Sequence, residues 1–309
     1  NATLHNFDEI RKKNIEIGNK VEIQRAGDVI PQVLRVIKTS KINGKKIKPP
    51  KTCPVCGGKT FKEKDEAVLR CTNTYGCYAQ KVSQIIHFIG KKAFNIDGFG
   101  EKQAKQFYNL KLINNVYEIF LLKNHKNVIE NLEGWGDLSV ENLINSIEKS
   151  KTISLDKFIY SLGIRFIGEI NAEILGKELK NINNFIALSK DTLPLSNIDG
   201  LGPKAICSIK EYFTYDQNLS LIKNLSTVLN IKDNKTINSK NFFNSKSIIF
   251  TGKLKSVSRD EAKHMAKEAG AKILSSVTRN TDYVIVGDKA GSKEKKAIEL
   301  NLTLLSEKE

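Results

Sequence analysis

Arginine is scarce in this chain: of its 50 cationic residues seven are arginine and the other 43 lysine. No run of about 18 or more apolar residues occurs, which excludes an apolar membrane-crossing helix. No signal peptide opens the chain, and the expected compartment is the cytoplasm. Position 1 is Asn, not an initiator Met, and the first residues already read as folded sequence. That pattern predicts a piece of a longer protein. Hydrophobic residues make up 40%, too many for a disordered chain.

The net charge is +16 and the pI about 9.5. Basic chains commonly meet nucleic acid. An AT-rich genome also enriches Lys, Asn and Ile, so charge alone is a discounted signal. Its distribution says more: residues 1–51 carry +7, whereas residues 52–229 carry +3. If that long middle binds DNA, it must do so through local geometry. Five cysteines occur, four of them within residues 53–77. Such clustering points to metal rather than to disulfides.

Ile15, Ile17, Val21 and Ile23 alternate, and Val29 to Val36 do so less strictly, with turns near Gly18-Asn19 and Gly27-Asp28. This predicts strands over 15–37, too few to close a barrel, as in a truncated all-β unit. Lys41 to Lys51 reads as a basic linker. Residues 81–229 carry apolar residues at helical spacing. Lys232 to Asn241 is polar and of low complexity, a second linker. Beyond it, strands at Ser247–Phe250, Lys272–Leu274 and Tyr283–Val286 alternate with helices at Arg259–Ala269 and about Ser292–Leu300. That order predicts a small α/β domain on a parallel sheet.

Cys53, Cys56, Cys71 and Cys77 form C-x2-C-x14-C-x5-C, with Gly57-Gly58 after the first pair. Two thiolate pairs complete a tetrahedron around one zinc ion and leave no open position, so the zinc would be structural. His87 then reads as a packing residue rather than a stray ligand. Cys207 falls at an apolar helical position and is expected in the core.

An internal repeat runs through the helical region. Its copies are Asp97-Gly98-Phe99-Gly100-Glu101-Lys102, Glu133-Gly134-Trp135-Gly136, Leu162 to Gly168, and Asp199-Gly200-Leu201-Gly202-Pro203-Lys204. The third has Phe166 where the first glycine should stand. Ala104, Val140, Ala172 and Ile206 follow at one offset. Gly-apolar-Gly makes a tight turn between two helices, and the second helix starts with free N–H groups that favour a phosphate. One such turn is an ordinary loop; four in register predict helix–hairpin–helix modules. The DNA-contact candidates are therefore Gly98, Gly100, Lys102, Gly134, Gly136, Gly168, Gly200, Gly202 and Lys204. Some copies could serve only packing, the third above all. Asn95-Ile96-Asp97-Gly98 and Asn197-Ile198-Asp199-Gly200 mimic the Lys-x-Asp-Gly nucleotidyl-transfer motif, but Asn replaces the nucleophilic lysine.

The ordered motifs resemble the C-terminal part of bacterial NAD-dependent DNA ligases. Ala2-Thr3-Leu4-His5-Asn6, Asp8-Glu9-Ile10-Arg11-Lys12 and Arg25 to Val33 resemble that family's OB-fold signature. Phe250-Thr251-Gly252-Lys253-Leu254, Gly270-Ala271, Thr281 to Gly287 and Gly291-Ser292-Lys293 resemble a BRCT module. The resemblance implies a multidomain chain: a partial OB-fold (1–51), a four-cysteine zinc finger (52–80), an all-α helix–hairpin–helix domain of four repeats (81–229), a linker (230–243) and a C-terminally truncated BRCT domain (244–309).

It also implies the chemistry. A lysine takes AMP from NAD, passes it to the 5′-phosphate at a nick, and the 3′-hydroxyl then displaces it, with Mg2+ or Mn2+ neutralising charge. The lysine and most of the NAD site would lie upstream, so these residues alone are expected to be inactive. They would supply the grip on nicked duplex DNA, as a monomer, for replication and repair. Lys20 and Arg25 are either backbone contacts or plain solvated strand residues. Thr251-Gly252 is either a phosphopeptide-binding turn or, since a lone domain has no second half of a peptide groove, a structural one; the BRCT partner stays open. The alternative function is a non-enzymatic DNA-junction scaffold or nuclease accessory subunit, which gives no reason for the Arg25 to Pro31 stretch. A zinc-finger transcription regulator would need a helix of base-reading Arg or Asn side chains, and none stands out.

Overall fold

The computed structural model describes residues 2–4, 6–26, 30–37, 45–63, 66–191, 193–234, 242–244, 246–288 and 290–307. The chain divides into two units, Asn1–Asp233 and Asn234–Glu309. Among the described residues, no helix is long and apolar enough to cross a membrane.

The first unit opens with a short helix, Phe7–Lys12, that periodicity did not announce. The Asn6 side chain caps it by accepting from the Asp8 N–H at 2.9 Å. Strands Val21–Ala26 and Ile30–Val36 then pair antiparallel, with Val21 opposite Val36. Glu16–Ile17 pairs with Lys45–Lys46, so part of the presumed basic linker is strand. Buried Ile10, Ile15 and Val33 form a small core beneath these pieces. The turn expected at Gly27-Asp28 lies outside the described residues.

The helical body follows. Its helices include Tyr78–Ile89, Glu101–Asn109, Asp137–Ser150, Leu155–Ser161, Glu169–Leu179, Pro203–Phe213 and Asp216–Val228. They enclose a continuous core in which Phe88, Phe107, Phe120, Phe158 and Phe185 are fully buried. Two strands also occur here. Thr152–Ser154 pairs in parallel with Asn230–Lys232, so the first residues of the presumed linker at 230–243 are locked to the body instead. Three residues each is too short for alternation to show in sequence. Residues 235–241 of that linker lie outside the described residues.

In the second unit, a four-stranded parallel sheet runs in the order Lys272–Ile273, Ser247–Thr251, Tyr283–Val286, Thr303–Ser306. The last strand is additional to the three that the sequence shows. Helices Arg259–Glu268 and Ser292–Glu299 cover it with Ala262, Ala266 and Ala297 buried.

Candidate nucleic-acid interface and metal centre

The four cysteines converge. One Sγ from each of Cys53, Cys56, Cys71 and Cys77 lies within 4.8 Å of the others. Cys56 and Cys71 are 3.5 Å apart, sulfur to sulfur, close to the ~3.8 Å edge of a tetrahedron with 2.3 Å zinc–sulfur bonds. The turn that follows the first pair needs Gly57, whose φ is +70°. The Cys53 N–H donates to the Gly58 carbonyl at 2.7 Å, closing that turn. Thr60–Phe61 and Arg70–Cys71 form the hairpin that returns the chain to the site.

Backbone N–H groups of Cys56 and Val55, with smaller help from the neighbouring thiols, pull the Cys53 thiol down to about 7. At Cys71 the Asn73 N–H acts the same way, but burial and the neighbouring thiols outweigh it and push that thiol up to about 11. Four thiol sulfurs brought this close together fit a thiolate-bound divalent ion. Cys77 is also the residue that starts helix Tyr78–Ile89, so the metal centre leads directly into the helical body. His87 stays out of the cluster. Its Nε2 lies 2.8 Å from the Tyr160 carbonyl and its ring 4.7 Å from that of Tyr160.

All four hairpins share one geometry. Gly100, Gly136, Gly168 and Gly202 are the N-cap residues of helices Glu101–Asn109, Asp137–Ser150, Glu169–Leu179 and Pro203–Phe213. Two residues earlier, Gly98, Gly134 and Gly200 have φ of +77°, +83° and +84°, and Phe166 in the third copy adopts +61°. The third copy therefore keeps the same turn despite its missing glycine. Phe99, Ile167 and Leu201 plug the core. Trp135 is half-buried, stacked on Phe107 at 5.3 Å, with its indole N–H donating to Gln106.

The first and second glycines of these turns differ in what the fold asks of them. At Gly98 and Gly134 a Cβ would meet nothing, yet the positive φ strains any other residue. Gly136, Gly168 and Gly202 have negative φ, and a Cβ on any of them also meets nothing within 4 Å. At Gly100 it meets only the tip of Gln103. A side chain at the second glycine would therefore not block the turn: among the described residues nothing in the fold requires glycine there.

The hairpins pair off. The Asp97 N–H donates to Ser146 Oγ on the second hairpin's helix, and a cavity of about 390 Å³ between these turns is lined by Gly98, Gln103, Gly134, Trp135 and Ser139. A Cβ on Gly200 would press Ile174 of the third hairpin's helix at 3.1 Å. In the first two hairpins, Gln103 and Ser139 accept from the Gly100 and Gly136 N–H groups. The sequence had not shown that side chains cover these donors.

Ala104, Val140 and Ala172 are buried at their shared offset. In the fourth helix the buried residue is Ala205, while Ile206 is only partly covered. Cys207, expected in the core, is exposed, because Ala205, Ser208 and Ile209 define the inner face. Lys102, Lys204 and Lys20 are all exposed. The Arg25 side chain lies outside the described residues. Sequence reading missed Arg165, which is ion-paired to Glu63 and Glu66 and so ties the third hairpin to the finger segment. In the second unit Gly252 has φ +79°, and a Cβ there would overlap the Gly287 carbonyl, so the turn itself requires glycine.

Four family models match the chain. They are the NAD-dependent DNA ligase OB-fold domain over residues 1–45, the NAD-dependent DNA ligase C4 zinc finger domain over 52–79, a helix-hairpin-helix motif over 157–222 and a BRCT domain over 238–309. Similar curated proteins include the DNA ligases of Rickettsia bellii (strain RML369-C), 44% identical over 321 residues, and Pelagibacter ubique (strain HTCC1062), 46% identical over 320 residues; each match covers 100% of this chain and 47% of the relative. The DNA ligase of Wolbachia pipientis wMel is 42% identical over 313 residues, covering 99% of this chain and 47% of the relative. The chain thus spans about half the length of the curated relatives it matches.

Proposed function

From a chain that belongs to the NAD-dependent DNA ligase family, we infer the DNA-gripping part of an enzyme that seals nicks in duplex DNA during replication and repair. The observation that carries this is the second glycine of each hairpin. Gly136, Gly168 and Gly202 cap exposed helix starts with ordinary φ, and a Cβ there would enter open space. Fold alone does not call for glycine at these positions. Close approach of a phosphate to the helix N-terminus does, since backbone N–H groups and the helix dipole bind it without side-chain charge. This accounts for a grip through a segment whose net charge is only +3 over residues 52–229. Such contacts carry no sequence information, as an enzyme acting at any nick requires.

Cys53, Cys56, Cys71 and Cys77 hold one zinc ion in this reading. The ion supplies no catalysis, because four thiolates leave no place for water or substrate. It fixes the start of helix Tyr78–Ile89, and with it the first hairpin. The working division of the chain is 1–51, 52–80, 81–229, a joining segment at 230–243, and 244–309. Gly98, Gly134 and Gly200 shape the turns, the second glycines receive phosphate, and Lys102 and Lys204 add charge beside it. Lys20 and Arg25 are further candidates for contact with the DNA backbone.

In this reading NAD and the divalent ion of the sealing reaction are bound mainly by other parts of the enzyme, and no residue described above is assigned to take AMP. Both Asp-Gly pairs of the relevant type, Asp97-Gly98 and Asp199-Gly200, carry Asn two residues before the Asp instead of lysine. Incubation of the isolated chain with adenylate-labelled NAD is therefore expected to leave it unlabelled, while it binds nicked duplex as a monomer without regard to base sequence. Stable labelling of a lysine, or failure to bind nicked duplex at low salt, would overturn this assignment.

A further inference from the structure

The four hairpins differ in what stands two residues beyond the N-cap glycine. The first and fourth carry Lys102 and Lys204, and the second and third carry Leu138 and Ile170. Leu138 is 72% exposed and Ile170 75%, more than any other large hydrophobic among the described residues. One exposed leucine calls for no explanation. Two at the same position of a repeat do. The third hairpin adds a half-exposed aromatic, Phe166, held at φ +61° where the other copies have glycine. An aromatic residue is strained in that region; glycine serves in the other three turns, and what the ring adds here is contact with the Arg165 guanidinium and the Lys204 ammonium, 4.7 and 5.8 Å from its centre.

What could cover these side chains is set by their place. Leu138 stands on the second hairpin and Ile170 and Phe166 on the third, each beside an N-cap glycine open to a phosphate, so the two aliphatic side chains follow the repeat rather than form one contiguous patch of the kind that joins protein surfaces. A phosphate held at a helix start brings its own sugar against the first turn of that helix. The C–H edge of deoxyribose is an apolar surface that every nucleotide offers alike. Building on the phosphate-binding role of the helix starts, we propose that Leu138, Ile170 and Phe166 are apolar contacts to deoxyribose of the bound duplex, while Lys102 and Lys204 meet phosphates. The grip then uses two chemistries, apolar at the inner hairpins and ionic at the outer ones.

The test is fluorescence anisotropy of the chain on a labelled nicked duplex across a salt series. Each lost apolar contact removes roughly 1 kcal/mol of partial burial, about fivefold in affinity. L138S/I170S is thus expected to weaken binding more than tenfold with the slope of log K against log salt unchanged. K102A/K204A should flatten that slope by about two. Because Leu138 and Ile170 are exposed, the Ser variant should keep the wild-type circular dichroism. Wild-type affinity in L138S/I170S overturns the proposal, as does tighter binding with a steeper slope in L138K/I170K, which would place phosphate there. A wild-type dimer dissolved by L138S/I170S in sedimentation would assign the side chains to a second copy instead. Failure of the wild type to bind any duplex would remove the underlying reading first, and this inference with it.

Discussion

The ammonium of Lys204 lies 5.8 Å from the centre of the Phe166 ring, so the fourth hairpin's lysine reaches the tip of the third. The Arg165 guanidinium approaches the same ring at 4.7 Å. Contacts of this type at exposed sites contribute about 0.5–1 kcal/mol. Lys204→Ala should therefore lower the melting temperature slightly, lower duplex affinity modestly, and reduce the salt slope by about one for a lost phosphate contact. An unchanged slope would show that Lys204 serves only the hairpin pair.

Phe166→Gly separates strain from contact. Glycine accepts the left-handed backbone without a Cβ clash, which offsets the loss of the two cation contacts. Thermal stability is expected to hold or rise slightly while duplex affinity falls. A fall in stability of more than about 2 kcal/mol by denaturant titration would mean that the ring is a packing element.

The paired glycines should part in the same way. Gly98→Ala or Gly200→Ala forces a Cβ into the left-handed region, at about 1–2 kcal/mol of stability. Gly136→Ser or Gly202→Ser supplies a good N-cap at negative φ and open space, so stability should be kept or slightly improved. Duplex binding should nonetheless drop for the Ser variants, because the added side chain occupies the phosphate's approach. Denaturation curves and anisotropy on the four proteins give both readings.

Metal analysis should find one zinc per chain. Structural zinc in small modules contributes roughly 10–16 kcal/mol of apparent binding free energy. Cys71→Ser, or a strong chelator, should unfold residues 52–79 and expose the Tyr75 and Tyr78 region to proteolysis while the Phe88 core survives. Loss of the finger should also free Arg165 from Glu63 and Glu66. Purified protein that carries no zinc and still resists proteolysis would end this assignment.

Glu307 supplies the pH test. Its carboxylate accepts the Lys255 and Ser256 N–H groups, each at 2.7 Å, and the Ser256 hydroxyl. These donors hold its pKa at about 2, below the ordinary 4.5. A carboxyl depressed in the folded state adds stability above its unfolded pKa and loses it as pH falls through the folded value. The second unit should therefore weaken between about pH 4.5 and 2, with Asp282, lowered by the Ser247 N–H and then by Lys246, acting in the same direction. Glu307→Gln should be less stable than wild type at pH 7, with the gap closing toward pH 2. A constant gap in thermal melts across that range would exclude the linkage.

Much of this protein is local, and the sequence by itself determined it. Cys53-x2-Cys56 and the Gly-x-Gly turns are set by residues a few positions apart, where φ, thiol reach and helix starts depend on the nearest neighbours. The order of modules and the parallel sheet of the second unit were legible for the same reason, through periodicity and turn chemistry. Tertiary structure decided what depends on distant partners. Thr152–Ser154 became a strand because Asn230–Lys232 lies beside it. Cys207 turned outward because Ala205 and Ile209 face the core. Phe166 took glycine's conformation because the hairpin around it closes in the same form as the other three. The division between the first and second glycines of these turns, the first for backbone strain and the second for open space, also appeared only in three dimensions, since a sequence shows that a Cβ is missing but not what it would have met.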